Sequence, residues 1–211
     1  MRTLALTLLI VILVLTSACG TPLVEVPLPE LDGVTEALGY SLAPTQLPEG
    51  YELEQYGVSG ISEPVVPSYL MPAAMLHYKK YEDYAYHRFI IQYPPNHPPS
   101  RSDDLLLETL GIEWQRPDDA VSEVEVNGET AYLTRGSWSY ESLVMWASLD
   151  TEALATYTPE WDYDWYLSLS FEFELPQNET VGVALVATLS SAEWITPDEL
   201  IKIAESMQQV D

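Results

Sequence analysis

From Trp165 to Leu175 the chain alternates without a break. Trp165, Leu167, Leu169, Phe171, Phe173 and Leu175 take every second position, and Tyr166, Ser168, Ser170, Glu172 and Glu174 lie between them. A period of two defines a strand with one buried face and one wetted face. Pro176-Gln177-Asn178-Glu179 turns the chain, and Val181, Val183, Leu185, Ala187 and Leu189 run back as the expected partner. A long antiparallel pair with one apolar face needs further strands beside it and a cover over it.

Other segments supply those strands. Ala74–Tyr81 and Ala85–Tyr93 read as a hairpin around Glu82-Asp83, with Phe89, Ile91 and Tyr93 on one face. Val124 and Val126 alternate with Glu123 and Glu125, Asn127-Gly128 supplies a type I′ turn, and Ala131-Tyr132-Leu133 returns. Residues 142–149 read as another strand, and Pro94–Pro99 interrupts the sheet. Two helices are expected. Ser102-Asp103-Asp104 opens one that closes at Gly111. Thr196-Pro197-Asp198-Glu199 is a capping box that opens the other, with Leu200, Ile203, Ala204 and Met207 on its apolar face. The expected fold class is α+β, a curved antiparallel sheet with two helices packed on one face.

The N-terminus reads as an address. Arg2 precedes an apolar run from Leu4 to Leu15, too short for a comfortable membrane span and of signal-peptide proportions. The one cysteine of the chain, Cys19, follows Thr16-Ser17-Ala18. This resembles the bacterial lipobox, whose cysteine receives diacylglycerol, with palmitate-type acyl chains, and becomes the mature N-terminus. The usual leucine three places before the cysteine is Thr16 here. An ordinary signal peptide and an uncleaved anchor are the competing readings. The expected organisation is a signal peptide over 1–18, lipidated Cys19 with a Pro-rich extended tether over 19–46 that carries a short lead-in strand near Tyr40–Leu42, and a single domain over 47–211. The protein is then held on the extracytoplasmic face of a cell membrane.

Charge narrows the partners. Thirty-three acids against eight Lys and Arg give −25, and removal of Arg2 with the signal peptide gives −26. Such a field repels phosphate backbones, which argues against nucleic acid. A single cysteine makes neither an internal disulfide nor a zinc knuckle.

No G-x-S-x-G motif is present, and His77, His87 and His97 lack a triad-like context. No paired-histidine metal motif occurs either. Glu160, Asp162 and Asp164 alternate with Trp161, Tyr163 and Trp165, a pattern open to three readings. The acids could ligate Ca²⁺, although no EF-hand loop surrounds them. The aromatics could form a stacking platform, or the segment could begin a strand with solvated acids. Lys79, Lys80 and Arg88 form a basic island that could contact an acidic partner, lipid headgroups or wall polymer, or offset neighbouring acids on an edge strand. Trp146, Trp165, Leu167, Leu169, Phe171 and Phe173 are expected to line a groove or a core.

Four segments in order carry a resemblance. They are Leu47-Pro48-Glu49-Gly50-Tyr51, the Val124–Leu133 hairpin, Leu143 with Trp146, and Glu199–Met207. The set resembles a bacterial domain of unknown function, found at the extracytoplasmic C-terminal end of proteins classed as anti-sigma factors and in stand-alone lipoproteins. The resemblance implies a half-barrel like that of lipoprotein carriers, whose concave face can hold an acyl chain or a peptide. This chain departs from the pattern by a longer acidic, aromatic stretch over 150–190. The resemblance brings no catalytic residues. The expected function is a non-catalytic binding or sensing domain for a lipid, peptide or protein, with no cofactor required. A small hydrolase or wall-modifying enzyme working through carboxylates is the alternative.

Overall fold

A computed structural model describes residues 22–59, 73–82, 85–93, 117–138, 158, 160–176, 179–188 and 195–210. Cys19, Trp146, the expected helix over 102–111, the expected strand over 142–149 and Pro94–Pro99 lie outside the described residues.

The long alternating segment forms the middle of the architecture. Strand β9 (Trp161–Glu174) pairs with β10 (Thr180–Thr188), the anticipated partner, with Phe171 opposite Val183 and Leu169 opposite Leu185. Leu175 N–H donates to Glu179 O at 2.8 Å and closes the turn. Around this pair stand β4 (Glu52–Ser59), β5 (Ala73–Glu82), β6 (Ala85–Tyr93), β7 (Val121–Val126) and β8 (Glu129–Trp138). They form one open seven-stranded sheet in the order β4-β5-β6-β10-β9-β8-β7, antiparallel throughout and not closed into a barrel. Asn127 (φ 53°) and Gly128 (φ 86°) make the β7–β8 turn in the left-handed region that a type I′ turn requires. Register shifts at Leu53/Gln55 and Arg135/Ser137 mark bulges, the local device that bends strands.

The inner face carries one continuous core: Leu76, Phe89, Ile91, Leu169, Val183 and Leu185 are all buried there. Helix α2 (Pro197–Glu205) covers part of it with Leu200, Ile203 and Ala204. Its capping box forms as anticipated. Glu199 N–H donates to Thr196 Oγ1 at 3.2 Å, and Thr196 N–H donates to Glu199 Oε2 at 2.6 Å. The helix ends sooner than the apolar spacing implies. Ser206 Oγ donates to Ile203 O at 2.8 Å and caps the last turn, so Met207 opens a strand instead. That strand, β11 (Met207–Gln209), pairs with β2 (Leu42–Pro44).

The stretch expected as an extended tether is folded from Pro22 onward. Here β1 (Leu23–Glu25) pairs with β3 (Gln46–Pro48), and helix α1 (Asp32–Leu38) lies between them in sequence. Leu31, Val34, Leu42, Ala43 and Leu47 are buried in the common core. The prolines did not prevent this. Pro44 and Pro48 sit at the ends of three-residue strands, where a missing N–H disrupts little. Leu31, Val34 and Leu38 have helical spacing, and Gly39 (φ 82°) ends the helix in the left-handed conformation. Both described helices pack on the inner face, so the α+β class holds, with α1 as a helix the sequence reading did not place.

Candidate functional site

The expectation of a groove or a core resolves, for Leu167, Leu169, Phe171 and Phe173, to the core. Leu167, Leu169 and Phe171 are buried core residues, and Phe173 packs against the core partly buried. Trp165 lies in β9. The concave side of the sheet therefore serves the two helices and the N-terminal strap (residues 22–48).

An opening persists where the strap crosses the β4 edge. One wall is Val26, Pro27, Leu28 and Pro29, running from β1 toward α1. Tyr51, Glu52 and Leu53 at the start of β4, with Pro44, Leu47 and Tyr78, complete the lining. The groove encloses about 280 Å³, and its lining is predominantly apolar.

Tyr78 is the chemically unusual residue of this groove. It is 3 % exposed, and its hydroxyl has no hydrogen-bond partner. Its ring stacks on Phe89, with centroids 4.9 Å apart and planes 7° apart, and Phe89 in turn meets Tyr51 at 5.3 Å. Burial, with the nearby Tyr93 as a lesser cause, pushes the Tyr78 hydroxyl well above its ordinary pKa, so it stays protonated. Tyr93 is a contrast on the neighbouring strand. Its oxygen accepts the Leu42 N–H at 2.9 Å and ties β2 to the sheet. Its pKa is pushed up to about 12 by burial, against the pull of that bond. A buried polar atom without a partner costs about 1–3 kcal/mol, so the Tyr78 hydroxyl is an unmet hydrogen-bonding demand in a residue that lines the groove.

Lys79, Lys80 and Arg88 do not form one island. Lys79 and Arg88 are direct cross-strand partners on the outer face, whereas Lys80 pairs with His87 and faces the inner side. Lys79 is bound to Glu54 (Nζ–Oε1 2.7 Å) and sits 4.9 Å from the Tyr81 ring centroid. The Lys80 stem passes over Gly50, beside the groove.

Glu160, Asp162 and Asp164 diverge. Asp162 Oδ1 accepts the backbone N–H of Asp164 at 2.9 Å, and Asp164 faces Arg135 at 3.9 Å, both exposed. Among the described residues no group of three or more His, Cys, Asp or Glu is arranged to hold a metal ion. The neighbouring aromatics bind the sheet together. Trp161 meets Trp138 edge-on at 5.0 Å and donates from Nε1 to Arg135 O at 3.1 Å, and Tyr163 donates to Asp119 Oδ1 at 2.7 Å. The one buried carboxylate among the described residues, Glu199, belongs to the capping box.

On the outer face a second depression of about 260 Å³ lies over β4 and β5, with Tyr56, Met75 and His77 among its lining. His77 Nδ1 is buried there without a partner. Burial, and then Arg88, push the His77 pKa down, while Glu54 opposes them.

Sequence reasoning missed the groove because it arises between the strap and the sheet edge, and the strap was read as unfolded chain. The available signals were the helical spacing of Leu31, Val34 and Leu38 and the left-handed glycine that follows. Compared with protein families, with curated proteins and with solved structures, the chain matches none.

Proposed function

We propose that this protein is a lipid-anchored, extracytoplasmic, non-catalytic binding domain whose groove between the strap and β4 takes an apolar ligand bearing one hydrogen-bonding group. The observation that carries this reading is the apolar groove lined by Tyr78, a residue whose buried hydroxyl has no partner. Apolar walls with one convergent polar group are the usual composition of small-molecule sites. The volume, about 280 Å³, is near the small end of the usual range of about 300–1,000 Å³. It suits a short acyl segment or a peptide side chain rather than a large cofactor. The apolar run Leu4–Leu15 followed by Cys19 supports the anchored location. On this reading the chain groups with the extracytoplasmic lipoprotein domains that its ordered motifs resemble.

Two measurements test it. Native mass spectrometry of protein released from membranes should show an added small mass. Titration with the uncharged fluorophore N-phenyl-1-naphthylamine should saturate, with Glu52→Trp, an exposed position on the groove wall, abolishing it. Tyr78→Phe should weaken it several-fold, the loss of one hydrogen bond worth about 1 kcal/mol. Binding that is indifferent to both substitutions would remove the groove from consideration.

A further inference from the structure

We infer that the face formed by the strap and the β4 edge is a membrane-docking surface, on which Val24 and Leu28 meet a neutral bilayer and the groove opens toward it. The inference rests on the proposed anchor at Cys19 and names the surface that the anchored domain turns to its membrane.

The first argument is reach. The described chain begins at Pro22, whose carbonyl accepts the Glu49 N–H at 3.2 Å. Pro22 is the third residue after Cys19. Three residues span at most about 11 Å. A lipid on Cys19 therefore holds the strap against the headgroups, where a long free tether would have let the domain turn any side to the bilayer.

The second argument is what that strap presents. Val24 and Leu28 are each 38 % exposed, among the few large apolar side chains of the described residues left in water. Val24 stands opposite Leu47 in the β1–β3 register, and Leu47 is part of the groove, to which Leu28 also belongs. The backbone is equally suited to an apolar surrounding. Pro27 and Pro29 have no N–H to leave unsatisfied, and the Val26 N–H is bonded to Thr45 O at 2.9 Å. The exposed acids Glu25, Glu30, Glu49 and Glu52 belong to the same chain segments. They select a zwitterionic surface over an anionic one. Two side chains bind a bilayer feebly alone, but the anchor makes the contact intramolecular, which raises its effective concentration.

The test uses the full chain, acylated at Cys19, with a single added cysteine at Val24→Cys, Leu28→Cys or Tyr132→Cys. Tyr132 is half exposed on β8, near the far edge of the sheet. Each thiol is labelled with nitrobenzoxadiazole and the protein is reconstituted into phosphatidylcholine vesicles. Labels at 24 and 28 should move to shorter emission wavelength and be quenched several-fold by doxyl-phosphatidylcholine, and the label at 132 should respond to neither. Partial replacement with phosphatidylglycerol should weaken the response at 24 and 28. An acylated protein whose labels at 24 and 28 are as water-exposed as that at 132 overturns docking and leaves the anchor standing. A chain that carries no acyl mass and stays off the vesicles overturns the anchor, and docking with it.

Discussion

Tyr78 and Tyr93 are buried tyrosines on adjacent strands with opposite hydrogen-bonding fates: Tyr93 accepts the Leu42 N–H at 2.9 Å, and Tyr78 has no partner. The pair gives a direct contrast in stability. Tyr93→Phe leaves a buried N–H of β2 unsatisfied and should destabilise by about 1–3 kcal/mol. Tyr78→Phe removes an orphan at constant shape and should be neutral or slightly stabilising. Urea melts of both variants check this, with unchanged slopes showing that the same surface is exposed on unfolding.

Alkaline pH offers a second check on the same residues. Both hydroxyls titrate above the ordinary tyrosine range, Tyr93 at about 12. Well below pH 10 these two hydroxyls are protonated in both states and add no pH dependence. Between pH 10 and about 12 the unfolded chain loses these protons while the folded one keeps them, so stability falls as pH rises. Absorbance at the tyrosinate band should show a late phase that coincides with unfolding followed by circular dichroism, and Tyr93→Phe should reduce its amplitude.

Gly136 is fixed by conformation and by space. Its φ is +92°, and a Cβ there would lie 2.5 Å from both the Asp162 carbonyl oxygen and Trp161 Nε1. Gly136→Ala should cost at least about 2 kcal/mol. Trp161→Ala should not rescue it, because the Asp162 backbone remains in the way. Thermal melts of the single and double variants measure this.

The capping box is a third stability handle. Thr196→Ala removes the oxygen that accepts Glu199 N–H and should lower stability by about 1 kcal/mol. Thr196→Ser keeps that oxygen and should stay near the parent, which calorimetry can resolve.

What the sequence disclosed followed from local periodicity. The β9–β10 pairing, the Asn127-Gly128 turn and the Thr196 cap each depend on residues close in the chain, and each forms as read. The strap escaped notice for the opposite reason. Leu31, Val34, Leu42 and Leu47 are too sparse to look like a buried element among prolines, and they are ordered only by a sheet made elsewhere in the chain. The groove inherits this difficulty, since Leu28 and Tyr78 meet across fifty residues of sequence. The basic cluster failed on parity: Lys79 and Lys80 are neighbours in sequence, and a strand sends neighbours to opposite faces.

The strap is also where the ends of the fold meet. Gln209 pairs with Leu42, and Ser41 Oγ donates to Val210 O, 169 residues away at 3.4 Å. In the sheet, β6 finds its neighbour in β10 only after β7, β8 and β9 have been made. Closing such distant loops carries an entropy cost that no local contact offsets in advance. The seam between the two halves of the sheet waits for β10, which ends at Thr188, and the strap for Val210. A chain still emerging from the ribosome therefore cannot lock this fold in place, and its topology postpones folding until synthesis is nearly complete.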